Sequence, residues 1–266
     1  MSFVAGCSAP VTPVAASETL SPTNLPIHTE TLTPIPTQTL IPKSHQTIIP
    51  IEILTPTKIA TIESTKIVYP SYDRWISGKE SILNGNILMT IDDCNDEKFL
   101  TAMLDLLEAR GLKATFFPNT NYIIGHSPTL WARIMRNHQI GYHTTNHQNL
   151  YTNPMTVEQL ENDWINFQNV IRQKTGNQGY VITAVRAPYY AWSPELVQLA
   201  KNHNAYLVQS TVSPVDTDIN TFNNILKANG NGGVLIFHTD EISYKWFVLN
   251  LANLKGRFLR VDDLFK

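Results

Sequence analysis

Proline is spread unevenly along this chain, and its distribution limits where helices and strands can form. Ten of the 16 prolines lie at or before Pro70. Proline removes a backbone donor and disfavours a helical conformation in the residue before it, so a segment that repeats it cannot sustain a helix or a central strand. We therefore expect the chain to divide into a proline-rich linker over residues 8–65 and one folded domain over residues 66–266.

The linker is rich in Thr, Ser, Ile and Val and carries few charges. This composition is typical of semi-extended stalks outside cells, although an alternative is that part of 47–69 lies as a strand against the domain. Before the linker, Val4-Ala5-Gly6-Cys7 resembles the bacterial lipobox, in which the cysteine becomes the lipidated first residue. Residues 1–7 are then either a truncated signal or an incidental match. We favour an exported protein, secreted or held at the cell surface by a lipid on Cys7.

The charge balance and the hydropathy argue against several classes of protein. The formal net charge is -2 and the pI is near 6.4, whereas a nucleic-acid-binding domain is expected to be strongly basic. The sequence has no run of about 18 apolar residues, so it predicts no membrane-spanning helix. The two cysteines, Cys7 and Cys94, give no disulfide framework. The oligomeric state stays open.

From about Ile67 onward, short apolar runs alternate with amphipathic helical patterns. Asp96 opens one helix and Gly111 closes it, while Thr156 and Gln159 form a capping box for another. Strands that alternate with helices imply an α/β fold with a parallel sheet, either a (β/α) barrel or a doubly wound sheet. The seven predicted strands are 86–91, 114–117, 139–142, 181–185, 205–209, 233–237 and 257–261.

Polar side chains follow the carboxyl ends of five predicted strands, and in barrels that end carries the active site. An Asp-Asp pair alone is more often a turn or a helix cap, and a lone His-x-x-x-His usually has no functional role. Five such groups on one face of a barrel are hard to attribute to capping. They are Asp92 with Asp93, His143 with His147, Arg186 with Tyr189, Asp216 with Asp218, and His238.

The spacing of the two histidines suggests a metal site. Two histidines four residues apart on a helical turn face the same way and can share one cation. With one carboxylate they make a three-ligand site that leaves a fourth position for water, the arrangement of a hydrolytic metal. Such a metal polarises a carbonyl and lowers the pKa of its bound water. A second carboxylate could then take a proton, and His238 could donate one to a leaving amine.

The strings TIDDCND, ATFFPN, HTTNH, RAPYY and VLIFHTD occur in this order and resemble the motifs of the NodB-homology polysaccharide deacetylases, over about residues 80–266. The resemblance implies a distorted barrel with fewer than eight strands. It also implies removal of N-acetyl groups from a polymer such as peptidoglycan or a chitin-like polysaccharide, using one divalent metal, for which we expect zinc, with cobalt and nickel as alternatives. By the same resemblance, Asp93, His143 and His147 would be the metal ligands. Asp92 would be the general base, with Arg186 holding it in place. The Tyr189 N–H would bind the oxyanion, and His238 would be the general acid.

Three positions depart from the family pattern. Cys94 replaces the usual glycine beside a metal ligand, where a thiol could crowd the site or oxidise. The run Val215-Asp216-Thr217-Asp218-Ile219 lacks the Trp that the family often has in its fourth motif. Within this run, we favour Asp218 over Asp216 as the residue that orients His238. Ile236 replaces a common leucine. Two alternative functions remain: an O-acetyl esterase acting on xylan-like polymers, and a non-catalytic carbohydrate-binding or scaffold protein, although the intact site residues favour an enzyme.

The remaining aromatic and histidine residues are predicted to be structural or solvated. Those after Arg186 could stack on sugar rings or belong to the core: Tyr189, Tyr190 and Trp192. Those at helical spacings are predicted to pack in the core: Trp131, Trp164 and Phe167. Three histidines are expected in solvent: His126, His138 and His203.

Overall fold

A computed structural model describes residues 72–78, 83–211, 213, 219–228, 232–254 and 256–265. The predicted linker, the lipobox with Cys7, and the strand proposed within 47–69 lie outside the described residues. Asp216 and Asp218 also lie outside them. The predictions made for those residues therefore stay predictions.

The described residues form eight strands, and every pairing between them is parallel. All seven predicted strands are present, several of them shorter than expected. The additional strand, β1, has only two residues, which is too short to show an alternating pattern. The strands are β1 (Trp75–Ile76), β2 (Asn86–Asp93), β3 (Thr115–Pro118), β4 (Gln139–Ile140), β5 (Ala184–Val185), β6 (Tyr206–Val208), β7 (Gly233–His238) and β8 (Arg257–Leu259).

The strands form two sheets that continue into one another. The larger has the order β4-β3-β2-β7, with β8 also paired to β2, and the smaller has the order β1-β6-β5. A parallel bridge between Tyr142 and Val185 links β4 to β5. On the other side, the Thr211 N–H donates to the Val234 carbonyl at 2.7 Å, which links the end of β6 to β7. This arrangement confirms the predicted distorted barrel of parallel strands, although the described residues hold eight strands where fewer than eight were expected.

Seven helices are found in the described residues, and the two with predicted end signals show them. Asp96 caps α1 by accepting from the Phe99 N–H at 3.0 Å, and Gly111 follows its end at a φ of 63°. The Thr156 and Gln159 capping box of α4 is present. The helices are α1 (Glu97–Ala109), α2 (Thr120–Gly125), α3 (Pro128–Asn137), α4 (Val157–Thr175), α5 (Pro194–Asn202), α6 (Ile219–Ala228) and α7 (Glu241–Asn250). Within the same residues, no helix has the length and apolar character needed to cross a membrane.

The core lies between the strands and these helices. The three aromatic residues predicted to pack there, Trp131, Trp164 and Phe167, are buried. The prediction that His138 is solvated was wrong. Its side chain is buried, its Nδ1 accepts from the Ala114 N–H at 3.2 Å, and burial lowers its pKa to about 4.

Candidate metal centre

The site lies where β2, β3 and β7 end at a common edge. The register places Asp92 of β2 beside Phe117 of β3 and beside His238 of β7. Asp93, the last residue of β2, has a φ of 60°, so the chain turns sharply there. Parallel strands bring the loops after their carboxyl ends together, and the predicted polar residues after β2, β4, β5 and β7 surround this edge.

Asp93, His143 and His147 form a cluster that could hold a metal ion. The Asp93 Oδ1 atom lies 3.3 Å from the His143 Nε2 atom and 3.1 Å from the His147 Nε2 atom. One ligand atom from each residue lies within 4.8 Å of the other two. In a tetrahedral zinc site with bonds of about 2 Å, ligand atoms are about 3.3 Å apart. The distances from Asp93 to both histidines match this spacing, so the cluster could hold one ion.

The hydrogen bonding of His143 shows that the cluster fits a cation. Its Nδ1 atom lies 2.8 Å from the Arg186 carbonyl oxygen, which can only accept, so Nδ1 carries the proton. In the neutral ring, Nε2 is then an acceptor that faces another acceptor, the Asp93 Oδ1 atom. Both atoms are buried without a hydrogen-bond partner. Two buried acceptors at this distance are costly unless a positive charge, either a proton or a metal ion, lies between them.

The electrostatics of the other two ligands agree with this. Burial opposes ionisation of Asp93, but the neighbouring His143 and His147 outweigh it, and the pKa of Asp93 is lowered. Burial also lowers the pKa of His147, against the opposing effect of Asp93. An ionised carboxylate and a neutral imidazole are the forms that bind metal.

Asp92 and Arg186 form a buried ion pair next to the cluster, as the sequence predicted. The Arg186 Nη1 atom donates to the Asp92 Oδ1 atom at 2.9 Å and to the Thr90 Oγ1 atom at 2.6 Å. Its Nε atom donates to the Val208 carbonyl at 2.9 Å. The other Asp92 oxygen, Oδ2, lies 3.9 Å from the His143 Nε2 atom. Asp92 therefore has one oxygen held by Arg186 and one facing the cluster.

His238 and Tyr189 border the same site. His238 ends β7, and its backbone N–H donates to the Ser243 Oγ atom at 3.3 Å. Tyr189 has a φ of 55° in the short 3-10 turn of Pro188–Tyr190. Its side chain is 64% exposed, and its ring centroid lies 4.5 Å from that of His147. Among the three aromatics that could stack on sugar, Tyr189 is exposed beside the cluster.

The other two aromatics belong to the interior. Tyr190 is half-buried, and its hydroxyl lies 2.5 Å from the Ser210 hydroxyl. Trp192 is buried and packs against Trp75 with ring centroids 4.8 Å apart. Of the two interpretations left open by the sequence, core packing is therefore correct for both residues.

The Cys94 side chain lies in the core. Its side chain is fully buried in the hydrophobic core, where the thiol lies 3.7 Å from the Ile91 carbonyl. Burial raises the pKa of the thiol well above its usual value. Since oxidation follows thiolate character and exposure, this thiol is protected.

Several residues that hold the site were not identified from sequence. Asn119 donates to the His143 carbonyl at 2.9 Å. The Asp163 Oδ2 atom accepts from the Tyr142 hydroxyl at 2.6 Å and from the Thr145 N–H at 3.1 Å, so it holds both sides of His143. Asn119 directly follows a strand, which was an available signal, whereas Asp163 lies on a helix with no such sign.

The fold and the cluster together define an α/β barrel protein with a candidate metal site at the carboxyl ends of its strands. Comparison with known proteins makes this more specific. Residues 83–208 match the model of the family described as polysaccharide deacetylase. His238 lies beyond the matched residues, so its role depends on the site geometry.

The relatives include cell-wall enzymes. Peptidoglycan-N-acetylglucosamine deacetylase PgdA of Listeria monocytogenes is 24% identical over 221 residues, which cover 78% of this chain and 45% of that protein. This chain thus spans less than half the length of that relative.

Two solved structures share the fold. One is a peptidoglycan N-acetylglucosamine deacetylase in complex with an N-oxidanyl-benzamide. Its TM-score is 0.61 at 24% identity, and the match covers 72% of this chain and 92% of that one. The other, a CE4 family pseudoenzyme from Bacillus anthracis, has a TM-score of 0.59 at 16% identity and covers 72% and 69%.

Proposed function

We propose that this protein is a metal-dependent hydrolase that removes N-acetyl groups from a polysaccharide containing N-acetylglucosamine, such as peptidoglycan or a chitin-like polymer. One observation carries the proposal: the Asp93, His143 and His147 cluster lies beside a carboxylate, Asp92, that a buried arginine holds in place. The names of the relatives support the same substrate class.

We propose one zinc ion as the metal, with Asp93, His143 and His147 as its ligands. Two imidazoles and one carboxylate suit zinc, and three protein ligands leave a position for water or substrate. A divalent ion bound there would polarise the acetyl carbonyl and make the attacking water more acidic.

The residues around the cluster can supply the proton transfers of amide hydrolysis. The free Oδ2 atom of Asp92 would take a proton from the attacking water as its oxygen bonds to the acetyl carbon. His238 would give a proton to the sugar nitrogen as the carbon–nitrogen bond breaks, which leaves acetate and a free amine. The Tyr189 N–H would bind the developing oxyanion. Asp218 is proposed to orient His238.

Two other functions differ from this proposal in their products. An O-acetyl esterase would release acetate from acetylated xylan-like polymers by the same site. A non-catalytic carbohydrate-binding protein would bind the polymer and release nothing, and one structural neighbour is a pseudoenzyme. The intact ligand set and the Asp92–Arg186 pair favour an enzyme, since a decayed site would be expected to lose one of them.

We propose that the protein acts outside the cell on a polysaccharide partner. The domain over residues 66–266 would be attached through the linker of residues 8–65. Cys7 would carry a lipid if the motif around it is a true lipobox. Membrane contact would arise only through that lipid, and no nucleic-acid partner is proposed.

The direct experiment is acetate release from N-acetylglucosamine oligomers by the zinc-loaded full chain, with acetylated xylan as the comparison substrate. The proposal predicts acetate and free amine from the first substrate. Acetate from xylan alone would favour the esterase, and binding of oligomers without any acetate would favour the non-catalytic function.

A further inference from the structure

The turn that carries the ligand Asp93 has an unfavourable backbone conformation. Asp93 and Cys94 have φ values of 60° and 56°, in the left-handed region that residues with a side chain rarely adopt. Two consecutive residues of this kind persist only when surrounding contacts hold them. The Cys94 N–H donates to the Asp92 carbonyl at 2.6 Å, and the Asn119 N–H donates to the Asp93 carbonyl at 3.2 Å.

The carbonyl of Cys94 is held by a histidine from a distant part of the chain. The His126 Nε2 atom lies 2.8 Å from the Cys94 oxygen. Because a carbonyl oxygen can only accept, Nε2 carries the proton and donates it. The turn at Asp93 thus has a third restraint, which comes from a side chain of a distant segment.

His126 is itself held in place from three sides. Its Nδ1 atom lies 3.6 Å from the Glu97 Oε2 atom, a contact that attracts the ring when Nδ1 is also protonated, and its side chain is 11% exposed. Its ring stacks on Trp131 with an interplanar angle of 8° and on Tyr122 with one of 23°. The prediction that His126 is solvated was therefore wrong. Glu97 therefore contacts His126, and His126 in turn contacts the turn that carries Asp93.

We propose that His126 is a positioning residue for the metal centre, which fixes the Cys94 carbonyl and thereby keeps the Asp93 carboxylate aimed at His143 and His147. This inference rests on the proposed function in one respect, that Asp93 binds a metal. Partners that orient a ligand from outside typically contribute 10- to 100-fold to metal affinity. Packing of the His126 ring alone would contribute to stability without affecting zinc.

The test is zinc affinity of the metal-stripped full chain, measured by competition with a chromophoric chelator. His126→Phe keeps the ring and removes the donor, and is expected to weaken zinc binding about 10-fold or more. His126→Gln places an amide donor at a similar reach, and is expected to restore affinity to within about 3-fold of the wild type. Thermal unfolding of each metal-free variant shows separately how much stability is lost.

The chain offers a matched control in His203. Like His126, it pairs with a glutamate, here Glu161 at 2.5 Å, and stacks on a tryptophan, here Trp164. It has no contact with a ligand turn among the described residues, so His203→Phe is expected to leave zinc affinity unchanged. If His126→Phe does not fold, Glu97→Ala replaces it, with an expected loss of about 5-fold, smaller than for His126→Phe because Glu97 is partly exposed.

Two results would overturn the inference while leaving the proposed function intact. The first is wild-type zinc affinity in His126→Phe, or in Glu97→Ala if that variant replaces it. The second is an equal loss of zinc affinity in His126→Gln and His126→Phe. A wild-type protein that binds no zinc would instead overturn the proposed metal centre itself.

Discussion

The Arg186 guanidinium and the Asp92 carboxylate are in contact at 2.9 Å, and both side chains are almost completely buried. Each needs the other because a charge left alone in this environment has no water to solvate it. The pair also ties the strand that ends in Asp93 to the segment that follows β5. The same contact therefore supports the fold and aims the proposed general base.

Arg186→Met tests this pairing through stability. The variant keeps a side chain of similar length but leaves Asp92 buried without its partner, so the free energy of unfolding in urea is expected to fall by about 3–5 kcal/mol. Lys245→Ala breaks the exposed ion pair with Glu241 and is expected to change it by an amount within error. Equal effects of the two substitutions would contradict the assignment.

Asp92→Asn tests the proposed general base. The amide keeps the shape of the side chain but cannot take a proton, and Asp92 is not one of the three clustered ligands. Zinc content is therefore expected to stay at the wild-type level, while turnover of N-acetylglucosamine oligomers falls about 100-fold or more. Near wild-type turnover would remove Asp92 from that role.

Cys94→Ala tests whether the thiol takes part in the site. The thiol is buried in the hydrophobic core, where it contacts the Ile91 carbonyl, so the variant is expected to keep wild-type zinc content and activity. For the same reason, Cys94 is expected to react with a thiol reagent such as iodoacetamide only after unfolding, as measured in a Cys7→Ala variant so that Cys7 does not contribute. Loss of zinc from Cys94→Ala would show that the thiol supports the metal.

The buried His138 predicts how stability depends on pH. Unfolded histidine binds a proton below about pH 6.5, whereas the pKa of His138 in the folded protein is lowered to about 4 by burial. Between these values the unfolded state holds more protons, so stability falls as the pH falls from 6.5 to 4, by about 3 kcal/mol in total.

His138→Asn isolates this contribution. The Oδ1 atom of the introduced asparagine can accept from the Ala114 N–H as the histidine Nδ1 atom does, but the amide does not titrate. Urea unfolding at several pH values between 4 and 6.5 is expected to show a shallower loss of stability in the variant. Parallel pH dependences in the two proteins would mean that His138 is not buried in its neutral form.

The sequence predicted the strands and the position of the site because both follow from local patterns. Apolar runs of five or six residues indicated β2 and β7, and the polar residues at their ends marked the site. It missed β1, which is too short to carry a pattern. It also misjudged His126, since the glutamate, carbonyl and aromatic rings around that residue come from separate segments. The direction of the Cys94 thiol depends on a left-handed turn that composition does not reveal.

The central claim is that one metal ion at Asp93, His143 and His147 makes this chain a deacetylase. The most direct measurement is acetate release from N-acetylglucosamine oligomers by metal-stripped protein as zinc is added back in steps. The account predicts no acetate at the start and a rise that levels off at one equivalent of zinc. Acetate release that is unaffected by stripping, or none at any zinc level while the oligomer still binds, would contradict it.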